Sequence, residues 1–458
     1  MDLCNGSMWD KIILYTLPIV FSNLMQMLYN AVDIAVVGQY TGEHAVASVG
    51  STASAIAVIV NVFIGISVGS SVKVAYYIGT GRQKDIEETV HTAIASAILF
   101  GGIGTVLGLV LARPLLLLLG TPKALMGNAL LYMYVYLSGV MFSSLYNFGA
   151  SILRSGGDTT RPMTYLLFSG LANVCFNYLL TGILGLGVIG VAAGTVLSQM
   201  ISCALVLRRL ITTTECYRLH PRHIRICRGK FAEIVKAGLP AGLQSAMYSL
   251  AGLLVQSSLN DCDLANHANN MLLAGNTASG TVEGIFTTCV GSFGVTVTTF
   301  TGQNYGAGKM DRVDRVPKLV AMMTAVVWVV ISTVALLWAP NIVGFAVKDP
   351  VAIEYGALRF RVIIIGCILN MTSDIFIAQS RGLGNSFTPM IISIGTVCVF
   401  RTVYLTTVYP IFETYLSIIL VFPITYALNT VMQSIFYRRT RKRAGQELEK
   451  RLAMSELS

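Results

Sequence analysis

The amino-acid sequence predicts an all-α membrane protein: twelve transmembrane helices in two six-helix lobes related by a parallel pseudo-two-fold repeat. Three observations predict it. Of the 458 residues, 54% are hydrophobic and only 12% are charged, against roughly 25% charged in soluble domains. The chain breaks into twelve apolar runs, each long enough for the about 20 residues a bilayer core requires of a crossing helix. Short sequences in the first half also recur in the second at nearly one offset.

The runs cover about 12–37, 52–78, 90–111, 127–150, 163–181 and 188–207 in the first half, and 234–259, 271–300, 319–339, 351–377, 390–408 and 415–436 in the second. Helices are the expected form, because an open sheet leaves its backbone groups unpaired in lipid, and runs this long exclude barrel strands. Segment 1–9 is too short and too uncharged for the leading region of a cleaved signal, so the first span is expected to stay. With the N-terminus inside, 25 of the 32 Lys and Arg residues flank inner ends; Arg113, Lys123 and Lys348 lie outside, and four fall within spans. The positive-inside rule then makes this a multi-pass protein of the cell membrane with both termini cytoplasmic. The net charge of +10 is mostly topological. The run Arg438, Arg439, Arg441, Lys442 and Arg443 follows the last span, where anionic lipid headgroups rather than nucleic acid are the expected partner. Nine cysteines are scattered without a close pair, with Cys262 in an outer loop; neither a disulfide nor a metal site is expected.

The repeat locates the halves. Gly79-Thr-Gly-Arg82 after the second span is matched by Gly306-Ala-Gly-Lys309 after the eighth, an offset of 227. Arg154-Ser-Gly-Gly-Asp-Thr-Thr-Arg-Pro162-Met163 is echoed by Arg381-Gly-Leu-Gly-Asn-Ser-Phe-Thr-Pro389-Met390 at the same offset, and Leu17-Pro18 returns as Leu239-Pro240 at 222. Six crossings separate equivalent positions, so the repeats are parallel. The expected division is an N-lobe 1–207, a basic linker 208–229 containing Pro221, a C-lobe 230–437 and a basic tail 438–458. Such a duplicated bundle suits alternating access; a channel or receptor has less need of it.

From about Lys11 to Phe436 the chain resembles the MATE family, the multidrug and toxic compound extrusion transporters. The resemblance rests on Leu17-Pro18 through Tyr29-Asn-Ala-Val-Asp33 and Val37-Gly38, on the loops Gly79-Thr-Gly-Arg82 and Gln303-Asn-Tyr-Gly-Ala-Gly-Lys309, and on the turns at Arg154 and Arg381. It implies export of organic cations or related amphiphiles against inward proton or sodium flow. The expected role is therefore a transporter and not an enzyme, with no cofactor beyond the coupling ion. No nucleotide motor is visible: Gly306-Ala-Gly-Lys309 is followed by Met310 rather than Ser or Thr and reads as a tight turn.

A carboxylate in the bilayer core costs about 2.5 to 3.5 kcal/mol on insertion scales, which makes intramembrane ionisable residues functional candidates. Asp33 stands roughly 30 Å along the first span at 1.5 Å per residue. Asn173 and Asn177 share a face of the fifth span, and Thr195 lies about 10 Å below the outer end of the sixth. One carboxylate, two amides and a hydroxyl at similar depth suit a proton or a small hard cation, so a sodium ion at Asp33 is the one metal the sequence suggests. The alternative for the asparagines is interhelical hydrogen bonding alone. These positions resemble the N-lobe cation site of MATE transporters, with Asn177 standing where many members carry a second aspartate.

In the second half Glu283 and Arg401 reach similar depths and Asp374 lies nearer the inner side with Asn370 one turn away; Glu283 and Asp374 are expected either to contact a drug cation or to form part of an ion pair with Arg401. NorM-like members place acidic residues where Asn370 and Tyr248 stand, so a site of that kind is not expected in the C-lobe. Lys73 is expected to snorkel. Met25, Met27 and Tyr29, with Met247 and Tyr248, are candidates for a deformable, cation-attracting substrate cavity; ordinary packing is the other reading. Tyr132, Tyr134 and Tyr136 alternate, cannot share one helix face, and are set aside. The leading expectation is a multidrug antiporter acting on small-molecule amphiphilic or cationic drugs within membrane lipids. The alternative is a lipid-linked precursor flippase of the same wider superfamily, against which the scarcity of intramembrane cations counts.

Overall fold

The computed structural model describes residues 1–265 and 270–456, and every regular element among them is helical. The first seven α-helices are α1 (Met8–Thr41), α2 (Glu43–Thr80), α3 (Gln83–Leu118), α4 (Lys123–Ser138), α5 (Val140–Ser155), α6 (Thr160–Asn177) and α7 (Gly187–Thr212). They are followed by α8 (Arg228–Ala265), α9 (Met271–Gly306), α10 (Met310–Gly344), α11 (Pro350–Gly382), α12 (Phe387–Ser393), α13 (Phe400–Thr407), α14 (Tyr409–Phe412) and α15 (Tyr415–Glu456).

Among the described residues ten helices are long and apolar enough to cross a bilayer, and α4 with α5, bent by 43°, make an eleventh. Gly139 sits at that bend, between the two helices. The expected twelfth span falls on α8, which has 38 residues. Its Gln244, Ser245, Ser249 and Gln256 make it more polar than the rest. It also carries Cys262, which is buried on a helix rather than exposed in a loop. The chain is thus an all-helical, multi-pass membrane protein.

Two compact units are formed, one by Met1–Ala246 with Gly302–Ala307, the other by Met247–Thr301 with Gly308–Ser458. The first is centred on Met133, Leu137, Phe148 and Ile152 of α4 and α5. In the second, a core around Phe286 of α9 and Phe360, Ile363 and Ile364 of α11 plays that part.

The repeated motifs fold alike. Gly157 and Gly384 end α5 and α11 at φ +85° and +86°, and each donates its N–H at 2.8 Å to the carbonyl of the arginine three residues back, Arg154 or Arg381. Asp158 and Asn385 then close the turns onto Leu153 and Ser380 at 3.0 and 2.9 Å. Gly81 and Gly308, also 227 apart, are both left-handed at φ +68° and +75°. An L side chain avoids that region, which explains why the motifs keep glycine there. In the second half Asp349 caps α11, accepting from the N–H groups of Val351 and Ala352 at 2.9 and 3.1 Å, with Pro350 at the first helical position where its missing donor costs nothing.

Both halves also contain a π-helical stretch, Tyr178–Ile183 and Ile394–Val399. Such stretches re-aim neighbouring side chains and cluster at functional sites. The first begins directly after Asn177 and the second ends two residues before Arg401.

Candidate functional site

Within the first unit, α1, α6 and α7 bring the four polar residues singled out from the sequence into one network. Asp33 is only 4% exposed, Asn173 1% and Asn177 0%. Asn177 Nδ2 donates to Asp33 Oδ1 at 2.5 Å and to Asn173 Oδ1 at 3.3 Å. Thr195 Oγ1 donates to Asp33 Oδ2 at 2.9 Å and receives Asn173 Nδ2 at 3.3 Å. Both carboxylate oxygens therefore face neutral donors. Among the described residues no Lys, Arg or His forms an ion pair with Asp33. One further oxygen is unspent: Asn177 Oδ1 is buried and has no hydrogen-bond partner among the described residues.

Small residues make this convergence possible. Tyr29, one turn before Asp33, gives its hydroxyl to the Leu166 carbonyl of α6, and its ring lies where a Cβ on Gly170 would stand. Its polar end thus fastens α1 to α6 beneath the network. On α7, a Cβ on Gly194 would collide with Asn177 Oδ1, and one on Gly190 would lie 2.6 Å from Thr181 Oγ1. Gly190-Val-Ala-Ala-Gly194 is the four-residue small-residue spacing that lets helices approach closely in lipid. That signal was available in the sequence.

Two tyrosines set aside in the sequence reading also belong here. Tyr132 and Tyr136 are four apart on α4 and their rings stack with centroids 6.0 Å apart. Tyr132 is buried in the core of the first unit and Tyr136 packs against that core. The alternation that separates Tyr134, 40% exposed, from its neighbours does not separate Tyr132 from Tyr136, since residues four apart share a helix face.

The second unit holds a separate charge cluster whose partners differ from expectation. Glu283 pairs with Arg359 at 2.7 Å and not with Arg401. Arg359 lies on α11, facing α9, and also donates to Ser279 Oγ at 2.8 Å. Arg401 donates instead to Thr425 Oγ1 at 3.1 Å and stacks over the Phe422 ring at 4.7 Å. Thr425 begins a buried stripe with Asn429 and Gln433 at every fourth residue of α15. Asn429 Oδ1 accepts from Thr396 at 3.1 Å, and Asn429 Nδ2 donates to Ser373 Oγ at 3.2 Å. Sequence reasoning missed this stripe although its period is visible. Asp374 accepts from Asn370 Nδ2 at 3.4 Å, a long contact one turn apart on α11. In the first unit, Lys73 reaches Glu233, five residues into α8, at 3.3 Å.

Of the cavity candidates, Met25 and Met27 on α1 and Met247 and Tyr248 on α8 are all half-buried. The Met247 carbonyl accepts from the Cys398 thiol at 3.4 Å.

Comparison with known proteins gives a consistent result. The MatE family model matches residues 18–179 and 240–407. A probable multidrug resistance protein, YoeA of Bacillus subtilis, is 23% identical over 395 residues, covering 85% of this chain and 84% of the relative. A probable multidrug resistance protein NorM of Thermotoga maritima is 25% identical over 393 residues, covering 84% and 82%. The fold is similar to an outward-facing multidrug resistance MATE family transporter of the MOP superfamily, with TM-score 0.89, 18% identity and coverage of 96% and 98%.

Proposed function

Because the chain belongs to the MatE family, we propose that it exports drug-like amphiphiles, organic cations foremost, in exchange for protons or sodium ions. The relatives named as multidrug resistance proteins support drug efflux. The single observation that supports ion exchange is the isolation of Asp33: a buried carboxylate without a cationic partner among the described residues. A buried charge of this kind is costly unless neutralised, and here the neutralising species is the coupling ion itself.

The donor set fits either ion. A proton needs only the Asp33 carboxylate. A sodium ion would be held by oxygens, and Asp33, Asn173, Thr195 and the unspent Asn177 Oδ1 supply them, with a single formal negative charge. Occupancy changes the charge at the point where α1, α6 and α7 meet. It therefore biases their packing between two arrangements, which is all a ligand-driven change requires. Met25 and Met27 in the first unit, and separately Met247 and Tyr248 in the second, each offer the deformable, polarizable surface that loosely specified cations favour. The distribution of Lys and Arg supports a cell-membrane location with both termini in the cytoplasm.

A lipid-precursor flippase needs unpaired cations for a phosphate headgroup. Lys73 and Arg359 are committed to Glu233 and Glu283, and the scarcity of other intramembrane cations, Arg401 chief among them, favours the drug antiporter. Reconstituted protein should drive efflux of a fluorescent organic cation under an imposed sodium or pH gradient and lose that coupling in Asp33→Asn. Efflux indifferent to both gradients, or to the substitution, would sink the proposal.

A further inference from the structure

We propose that the second unit carries a binding site for the headgroup of an anionic phospholipid, between the start of α10, the last turns of α11 and the part of α15 that follows Phe436. The cavity there has a volume of about 620 Å³, within the range of small-ligand sites. It is polar at one end and apolar at the other, and both ends are explained by named side chains.

At the polar end Arg441 grips Asp314 through Nε at 2.8 Å and Nη2 at 2.7 Å. This two-point ion pair ties α15 to α10 and cancels both charges. Lys318, Arg438 and Lys442 line the same cavity, and none of them has an ion-pair partner among the described residues. Arg438 and Lys442 are four apart on one face of α15, and Lys318 is one turn beyond Asp314 on α10, so three like charges converge. Such convergence is unfavourable by itself and becomes favourable around an anion. Away from these groups the walls are Ala321, Ile375 and Phe376, with the Phe376 ring stacked on Tyr437 at 5.3 Å. These residues belong to the stretches of α10 and α11 that run into the apolar spans.

A phosphate group with an acyl chain behind it matches both ends. An organic cation is repelled by the first, and a water-soluble anion makes no use of the second. A conjugate of basic and interfacial aromatic residues beside a transmembrane helix is also where anionic headgroups are recognised on general grounds. The site is independent of the drug-export reading; only the leaflet depends on the orientation proposed above.

Purified full-length protein in detergent, titrated with phosphatidylglycerol and with phosphatidylcholine of the same chains and followed by native mass spectrometry, tests the site. Each basic residue near an anionic surface is worth roughly fivefold in affinity. The combined variant Lys318→Gln, Arg438→Gln, Lys442→Gln should bind phosphatidylglycerol at least about tenfold more weakly. Arg439→Gln, Arg443→Gln, Lys450→Gln, with the same charge change outside the cavity, should stay within about twofold. If the triple variant fails to fold, Lys318→Gln alone should still show a loss of about fivefold. Equal losses in both triple variants, no loss in either, or equal binding of the two lipids by the wild type would overturn the proposal. So would full displacement of the lipid by inorganic phosphate at equal concentration, which would assign the cations to a free anion.

Discussion

Replacing Gly194 by alanine puts a methyl group into the contact that holds α7 against α6. Its Cβ would lie 3.3 Å from Asn177 Cγ and 3.2 Å from the Asn177 backbone nitrogen, and would overlap Oδ1. The amide must turn away or the helices must part. Either movement removes Asn177 Nδ2 from Asp33 Oδ1 and from Asn173 Oδ1, now at 2.5 and 3.3 Å. A hydrogen bond to a charged group contributes about 1.5 to 3 kcal/mol, and forced overpacking costs about 1 to 3 kcal/mol. Alanine returns about 1 kcal/mol of helix propensity. The expected net effect is about 2 to 4 kcal/mol, seen as lower thermal stability in detergent and a half-saturating concentration of coupling ion raised at least about tenfold. Gly102→Ala, where a Cβ meets nothing within 4 Å, is the control and should be neutral or slightly stabilising. If Gly194→Ala keeps wild-type stability and ion dependence, the close approach of α7 does not build the site.

Asn177→Asp adds a second carboxylate beside Asp33 and should strengthen sodium dependence of transport relative to proton dependence; unchanged ion selectivity in gradient-jump assays would argue against a cation at this position. Glu283→Gln strands Arg359 and should cost about 3 to 5 kcal/mol in unfolding stability, whereas Glu283→Gln with Arg359→Gln should recover part of that loss. Retained efflux in the double variant would assign the pair to structure, and abolished efflux in a folded double variant would assign it to transport. Tyr29→Phe loses one hydrogen bond to Leu166 and should lower stability by about 1 kcal/mol while leaving the ion dependence of transport intact. A changed ion dependence would mean that the hydroxyl acts on the ion as well as on the helix contact.

These substitutions also mark what the sequence exposes and what it conceals. The turns at Gly157 and Gly384 were readable because one backbone conformation excludes side chains, so the requirement is written as glycine at fixed spacing in both halves. Asp33, Asn173, Asn177 and Thr195 stood out because polar groups are conspicuous in apolar runs, and helical rise alone puts them at a common depth. The choice of partner was harder to read. Depth along the spans suggested Arg401 for Glu283, but the partner is Arg359 on α11, because depth does not encode which face of α11 packs against α9. Tyr132 and Tyr136 were hidden by the intervening Tyr134, which obscures the four-residue spacing between them. The more polar α8 shows a further limit: length survives in a span that carries interior glutamines, while mean hydropathy does not.

The central claim is that Asp33 holds the coupling ion given up in exchange for the outgoing substrate, and ion release on substrate binding tests it most directly. Detergent-solubilised protein, loaded with the ion and mixed with an organic cation it binds, should release protons or sodium in proportion to the substrate bound. Asp33→Asn should still bind the cation and release neither ion. Equal release from the wild type and from Asp33→Asn would place the exchange elsewhere in the protein.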